Sequence, residues 1–342
     1  MWRNLIFMSL FFLSLGLCGC ESEEPMTDFS SDSEAVSEDT NVLEEYDGPE
    51  LVLACDQKRE QVVLYDLSLT ELDGNELWYF APRRGSCNSI SGVKYRKNDR
   101  FGEVVVLCAS GGYAGIVSYP KKEVLWQTDS AGVNPHSVEL LPNGNLAVAS
   151  SSGGTVRVYA SSQTGKAASY YTEVALPEAH GVLWDPEREV LWALGGHRLT
   201  AWRVNGTDAQ PELVSVPDLG GSLPDSASGA HDLAPVYGNS DRLWITADRV
   251  MQYSKSTGEF FFNYNGNRVI DRGCSNAIGD LPESGSVITL ISDGTYHPWC
   301  SGTIGYVRFV PGRDGAWEAR YEERVSEICA YYKVRVFCSD YQ

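Results

Sequence analysis

Four short β-prone runs separated by Gly, Asn, Pro and Ser turns recur along this chain, and that recurrence restricts the fold more than any other feature. The unit is clearest from Asn134 to Tyr159 (NPHSVELLPNGNLAVASSSGGTVRVY). It contains an apolar run from His136, a turn at Pro142-Asn143-Gly144, a second run at Leu146–Ala149, a Ser/Gly turn, and a third run ending at Tyr159. β-branched and aromatic runs between such turns read as an up-and-down antiparallel meander, and Ser169–Leu176 supplies its fourth strand. A single four-stranded unit cannot cover both of its faces, so several must pack together.

The third run recurs with endings at Tyr65, Tyr119, Tyr159, Trp202, Tyr253 and Phe309, and the second run with endings at Cys55, Cys108, Ser150, Gly195, Ala247 and Ile291. First runs begin at Asn88, His136, His180, His231 and Asn276, spaced 44–51 residues apart. That spacing fits a blade of roughly 40–50 residues. The sixth first run comes from the tail, Tyr331–Phe337. An all-β, six-bladed β-propeller over residues 51–342 is therefore expected, with the C-terminal strand closing the first blade and hiding the ring's edges.

Ahead of the ring, Arg3 and the apolar run Leu5–Leu17 read as a secretory leader too short to remain as a spanning helix. Leu17-Cys18-Gly19-Cys20 resembles the bacterial lipobox, which implies removal of residues 1–19 and lipidation of Cys20. Glu21-Ser22-Glu23-Glu24 resembles an acidic surface-export signal, so a bacterial membrane-anchored, extracytoplasmic and surface-exposed placement is expected. Residues 21–50 hold twelve Asp or Glu and no Lys or Arg, so residues 20–50 read as a solvated tether. The whole chain carries −19, but without Arg3 and those twelve acids residues 51–342 carry only −8. A mildly acidic ring without a basic stripe argues against nucleic acid as a partner, and the chain is expected to act as a monomer.

Seven cysteines follow Cys20. Cys55 and Cys108 sit at matching second-run positions and are expected to be buried, while Cys274 and Cys300, in one blade, are expected to pair across the insertion Asp293–Ser301. Most Trp and Tyr fall at repeated strand positions and belong between blades; Tyr296 and Trp299 do not, and are candidates to face a ligand. His197 lies in a hairpin turn and is expected to be exposed.

The innermost strands of a propeller line its central channel, and the residue opening each strand sits at the mouth. In register those openings are Asn88, His136, His180, His231, Asn276 and Tyr332. Three of the chain's five histidines share this one position. Such polar residues could hold ordered water and tie blades together. They could instead converge on a small polar ligand or glycan, or the three imidazoles could hold a divalent metal ion as cofactor. Lys333 and Arg335 lie just beyond, on the face opposite Tyr332 by strand alternation, and would either charge the mouth or pair between blades.

The runs Asn134–Asn145, Ala179–Pro186, Leu191–Gly195, His231–Gly238 and Tyr332–Arg335 resemble an uncharacterised bacterial family of secreted or lipid-anchored, WD40-like propellers, a domain of unknown function, from about Leu51 to the end. The histidine-lined centre is more distantly similar to oligogalacturonate lyases and arylsulfotransferases, although no ring glutamine is evident. The family likeness is silent on activity, and three activities are carried forward beside simple docking of a protein. The first is ligand capture through Asn88, His136, His180, His231 and Asn276. The second is a metal-dependent lyase acting on uronate-containing oligosaccharides, with Tyr332 or Lys333 removing the proton. The third is group transfer through a ring histidine. GxSxG, GxxxxGK, HExxH and CxxC patterns are absent from the sequence.

Overall fold

The computed structural model describes residues 48–83, 85–312 and 316–342, all within one compact unit, Leu43–Gln342. The leader, Cys20 and nearly all of the tether lie outside the described residues. Six four-stranded antiparallel sheets follow one another along the chain. Their innermost strands are Ile90–Asn98, Pro135–Leu140, Gly181–Asp185, Asp232–Pro235 and Ser275–Asp280 for blades two to six, and Tyr331–Val336 for blade one. The last of these pairs with Leu51–Asp56, placing Val336 opposite Val52 and Val334 opposite Ala54. The C-terminal strand thus closes the first blade, as the repeat pattern requires.

Why the second runs are apolar throughout, rather than alternating, follows from this layout. Val52 and Ala54 face the core shared with blade six, while Leu53 and Cys55, pointing the other way, face the core shared with blade two. Each remaining seam has its own cluster: Val106 with Val148, Val156 with Leu191, Trp192 with Tyr253, and Trp244 with Val307. Both faces of every blade are therefore buried, and the strands carry apolar residues at successive positions.

Four innermost strands share a further feature. One extra residue is inserted against the neighbouring strand at Ser91, His136 and Asn276, and the Tyr332–Lys333 pair lies opposite Cys55 alone. A bulge bends the strand and re-aims the extra side chain. Strict alternation therefore does not hold through Tyr332–Lys333, while Lys333 and Arg335 meet the same partner, Asp232.

Glu50 is the last residue assigned to the tether. It is buried; its N–H donates to Asp66 Oδ1 (2.9 Å) and its carboxylate accepts from Tyr306 Oη. Cys55 and Cys108 are buried as expected. Cys300 is a buried thiol donating to Gln57 Oε1 (3.3 Å), so the expected Cys274–Cys300 bridge is not formed.

Leu53→Ala empties a fully buried site between blades one and two and should cost about 2–5 kcal/mol of unfolding free energy. Leu77→Ala, at a side chain 56% exposed, should stay within about 0.5 kcal/mol. Urea denaturation of the two variants checks the contrast.

Candidate functional site

At the mouth where the innermost strands begin, a cavity of about 310 Å³ is lined by His136, His180, His231, Tyr332, Gln57 and Trp299, with Ser89, Ser110 and Asn134 at its edges. The three imidazoles come from blades three, four and five. Ring centroids of His136 and His180 are 4.6 Å apart and those of His180 and His231 5.2 Å apart.

The backbone just before each mouth residue explains how they are aimed. Two residues ahead of Ser91, His136, His180, His231 and Asn276 stand Ser89, Asn134, Glu178, Gly229 and Cys274, all at positive φ, from 39° to 65°. Only Gly229 adopts that region freely; the others hold it against Cβ crowding. The kink turns the carbonyls of Glu178 and Gly229 onto the rings that follow, and they accept from Nδ1–H of His180 (2.8 Å) and of His231 (2.5 Å). Each ring is thereby fixed as the Nδ1–H tautomer, and its Nε2 lone pair has no hydrogen-bond partner among the described residues.

His136 is arranged differently. Asn134 Nδ2 donates to Ser152 Oγ (3.1 Å), which leaves Asn134 Oδ1 to accept from His136 Nε2–H (3.0 Å). His136 Nδ1 then accepts from Tyr332 Oη–H (3.1 Å). Both nitrogens are engaged, and among the described residues no group of three or more His, Cys, Asp and Glu could hold a metal ion. The three-imidazole metal centre expected from sequence is therefore not assembled.

Beneath the rings the channel is filled by charge. Lys333 Nζ donates to the carbonyls of His180 (3.2 Å) and His231 (2.7 Å) and to Asp232 Oδ1 (3.3 Å). Arg335 grips both oxygens of Asp232. Deeper, Lys94 and Arg96 share Glu139. Burial by itself would raise Asp232, but Arg335 and Lys333 hold it at about 2. Burial, then the charge of Lys333 and the neighbouring His231, push His180 down to about 3; His136 and His231 are lowered too, again first by burial. All three rings are neutral at pH 7.

Neither expected proton acceptor stands ready. Burial raises the Tyr332 phenol further above neutrality, and its hydroxyl is spent on His136. Lys333 is fully buried and tied to two carbonyls and a carboxylate, outside the cavity's lining.

Two other mouth residues also differ from expectation. Asn88 is exposed and does not line the cavity. The bulge makes Ser91 the blade-two counterpart of His136, and it donates to Pro135 O (2.5 Å). Asn276 stands behind the lining instead: its Nδ2 donates to Ser292 Oγ (2.7 Å) and to the carbonyl of Trp299 (2.8 Å). That anchors the 292–301 loop, whose Ser301 exchanges backbone hydrogen bonds with Tyr331 (2.9 and 2.7 Å) and so reaches from blade six to blade one. Trp299 and Tyr296 are exposed on this loop, and His197 is exposed in its turn. Sequence reading missed Gln57, Ser89, Ser110 and Asn134. The usable signal was antiparallel pairing: the turn after a second run lies at the same end as the start of the first run, which places Gln57 and Ser110 at the mouth.

The sequence model of the family described as "Family of unknown function (DUF6528)" matches residues 3–272. The chain belongs to DUF6528. The match begins ahead of Leu51, where the resemblance was expected to start, and ends before blade six. No curated protein matches this DUF6528 chain. Among solved structures, one from the nidogen/laminin complex is similar with a TM-score of 0.55 at 11% identity, covering 85% of this chain and 99% of that one. A protein of unknown function from Bacteroides caccae gives 0.53 at 10% identity, over 84% and 98% of the two chains. A putative 6-phosphogluconolactonase from Bacteroides uniformis gives 0.51 at 14%, over 80% and 83%. At such identities the likeness is one of fold.

The lowered histidines have a signed consequence. A ring titrating near 3 when folded and near 6.5 when unfolded disfavours the native state as pH falls between those values. Asp280, pushed up to about 7 by burial, acts in the opposite sense, losing stability as pH rises towards 7. His180→Gln should therefore gain stability relative to the parent as pH falls from 6.5 to 3.5. Denaturant titrations of both proteins across that range check the sign.

Proposed function

We propose that this protein is a lipid-anchored, extracytoplasmic binding propeller whose central mouth captures a hydroxyl-rich ligand, a sugar unit of a glycan. The observation that carries the reading is the pair of neutral imidazoles, His180 and His231, whose Nδ1–H groups are committed to backbone carbonyls while Nε2 adjoins the cavity. A neutral imidazole protonated at Nδ1 only accepts at Nε2, so it selects a donor, and the hydroxyls of a sugar ring are donors. Ser89, Ser110 and Gln57 add hydroxyl and amide groups that can meet the ligand's other oxygens. The volume lies at the small end of the range for ligand pockets and suits one sugar ring. Catalysis has less support, since Tyr332 and Lys333 are both committed elsewhere.

Calorimetric titration with oligosaccharides tests the site. His180→Ala and His231→Ala should each weaken binding about 3–10-fold with unchanged melting at pH 7.5, and affinity should be level from pH 7 to pH 8 because both rings stay neutral there. Binding that survives the double variant would overturn the assignment.

The lipobox at Cys20 and the acidic stretch behind it support the anchor and its tether. Cys20→Ala should move the protein from the membrane pellet to the soluble fraction, and intact-mass analysis of the parent should find added acyl chains.

A further inference from the structure

The mouth has an open end and a closed one. Lys333, Asp232 and Glu139 are fully buried below the imidazoles, and Lys94, Arg96 and Arg335 are nearly so. The far end is closed as well. Arg96 Nη1 donates to the carbonyls of Cys338 (3.2 Å) and Asp340 (3.3 Å), Tyr341 Oη donates to Leu140 O (2.7 Å), and Tyr237 Oη donates to Asp340 O (3.2 Å). A chain of sugars cannot thread this channel.

The open side is bounded by Trp299. Its Nε1–H donates to Gln57 Oε1 (2.9 Å), its carbonyl is held by Asn276, and His297 stacks on it at 4.9 Å with 22° between the ring planes. Gln57 is fixed in turn through Nε2–H to Ile90 O (3.2 Å). Trp299 is nevertheless 48% exposed. An aromatic ring kept half in water while all its polar groups are satisfied is a preorganised apolar wall beside a polar floor. That combination suits a pyranose, which offers an apolar C–H face and hydroxyls at its edge.

Building on the sugar-binding reading, we infer that the site is an end-binder: one terminal sugar residue enters the blind cavity, stacks on Trp299 and donates hydroxyls to His180 and His231, while the remainder of the glycan leaves past the 292–301 loop. A cavity of about 310 Å³ with a closed floor holds one ring and leaves no exit for a second on its inner side.

An array of neutral and acidic oligosaccharides, probed with the purified protein, followed by trimming of each bound glycan, tests this. Removing only the terminal residue enzymatically should abolish binding, the free terminal monosaccharide should compete at millimolar concentration, and Trp299→Ala should weaken binding about tenfold with an unchanged melting curve. A glycan that stays bound after trimming, or an endless cyclic oligosaccharide that binds as well as its linear counterpart, overturns end-binding. If such binding is still lost in His180→Ala, the sugar-binding reading stands without it. Absence of binding across the whole array overturns both.

Discussion

Neither face of any blade can be left to water. Each second-run strand puts successive side chains into two different seams, as Leu53 and Val52 do, so each sheet is stable only between two neighbours. An open row of such sheets would end in two apolar faces and an unpaired strand edge, both sites of aggregation. Pairing Tyr331–Val336 with Leu51–Asp56 removes that edge and seals the seam between blades six and one. The gathering of the mouth residues depends on this closure, since only a closed ring brings the starts of six distant strands around one axis.

Closure creates a second constraint, a narrow channel that must be filled. Here it is filled with ions rather than hydrocarbon. Lys94, Arg96, Lys333 and Arg335 face Glu139 and Asp232, two positive charges in excess. The excess is met by backbone carbonyls, those of Val182, His180 and His231 among them. Buried ions are costly unless every donor is satisfied, and stripping one partner typically costs about 3–5 kcal/mol. The arrangement also reaches upward: Lys333 helps to keep the histidines neutral, and through their carbonyls it ties blades four and five to blade one.

The architecture was legible because it rests on repetition, and turn chemistry marks the strand boundaries whatever the neighbours do. The three histidines were legible for the same reason, since they occupy one position of the repeat. What escaped the sequence was local. Asn88 was chosen over Ser91 because both are polar residues beside one apolar run, and only the strand pairing, with Ile90 opposite Ala109 and Gly92 opposite Cys108, marks Ser91 as the equivalent position. Tyr332 and Lys333 share a single partner position, Cys55, an irregularity that the alternation of residue types does not reveal. The left-handed residues at Ser89, Asn134, Glu178 and Cys274 carry little of the glycine signature that would announce them. The cysteines of blade six share a blade without forming the bridge expected of them, and Cys300 spends its hydrogen on Gln57.

The mouth residues sit on a common bulge or kink, outside the seams that hold the ring together. Ser91, His136, His180, His231, Asn276 and Tyr332 are thus interchangeable sockets on a shared carrier. A substitution at His136, His180, His231 or Tyr332 alters the lining of the mouth while leaving the six inter-blade clusters untouched. In such a protein the scaffold and the rim can change at separate speeds, the first slowly through paired changes across a seam, the second by single replacements.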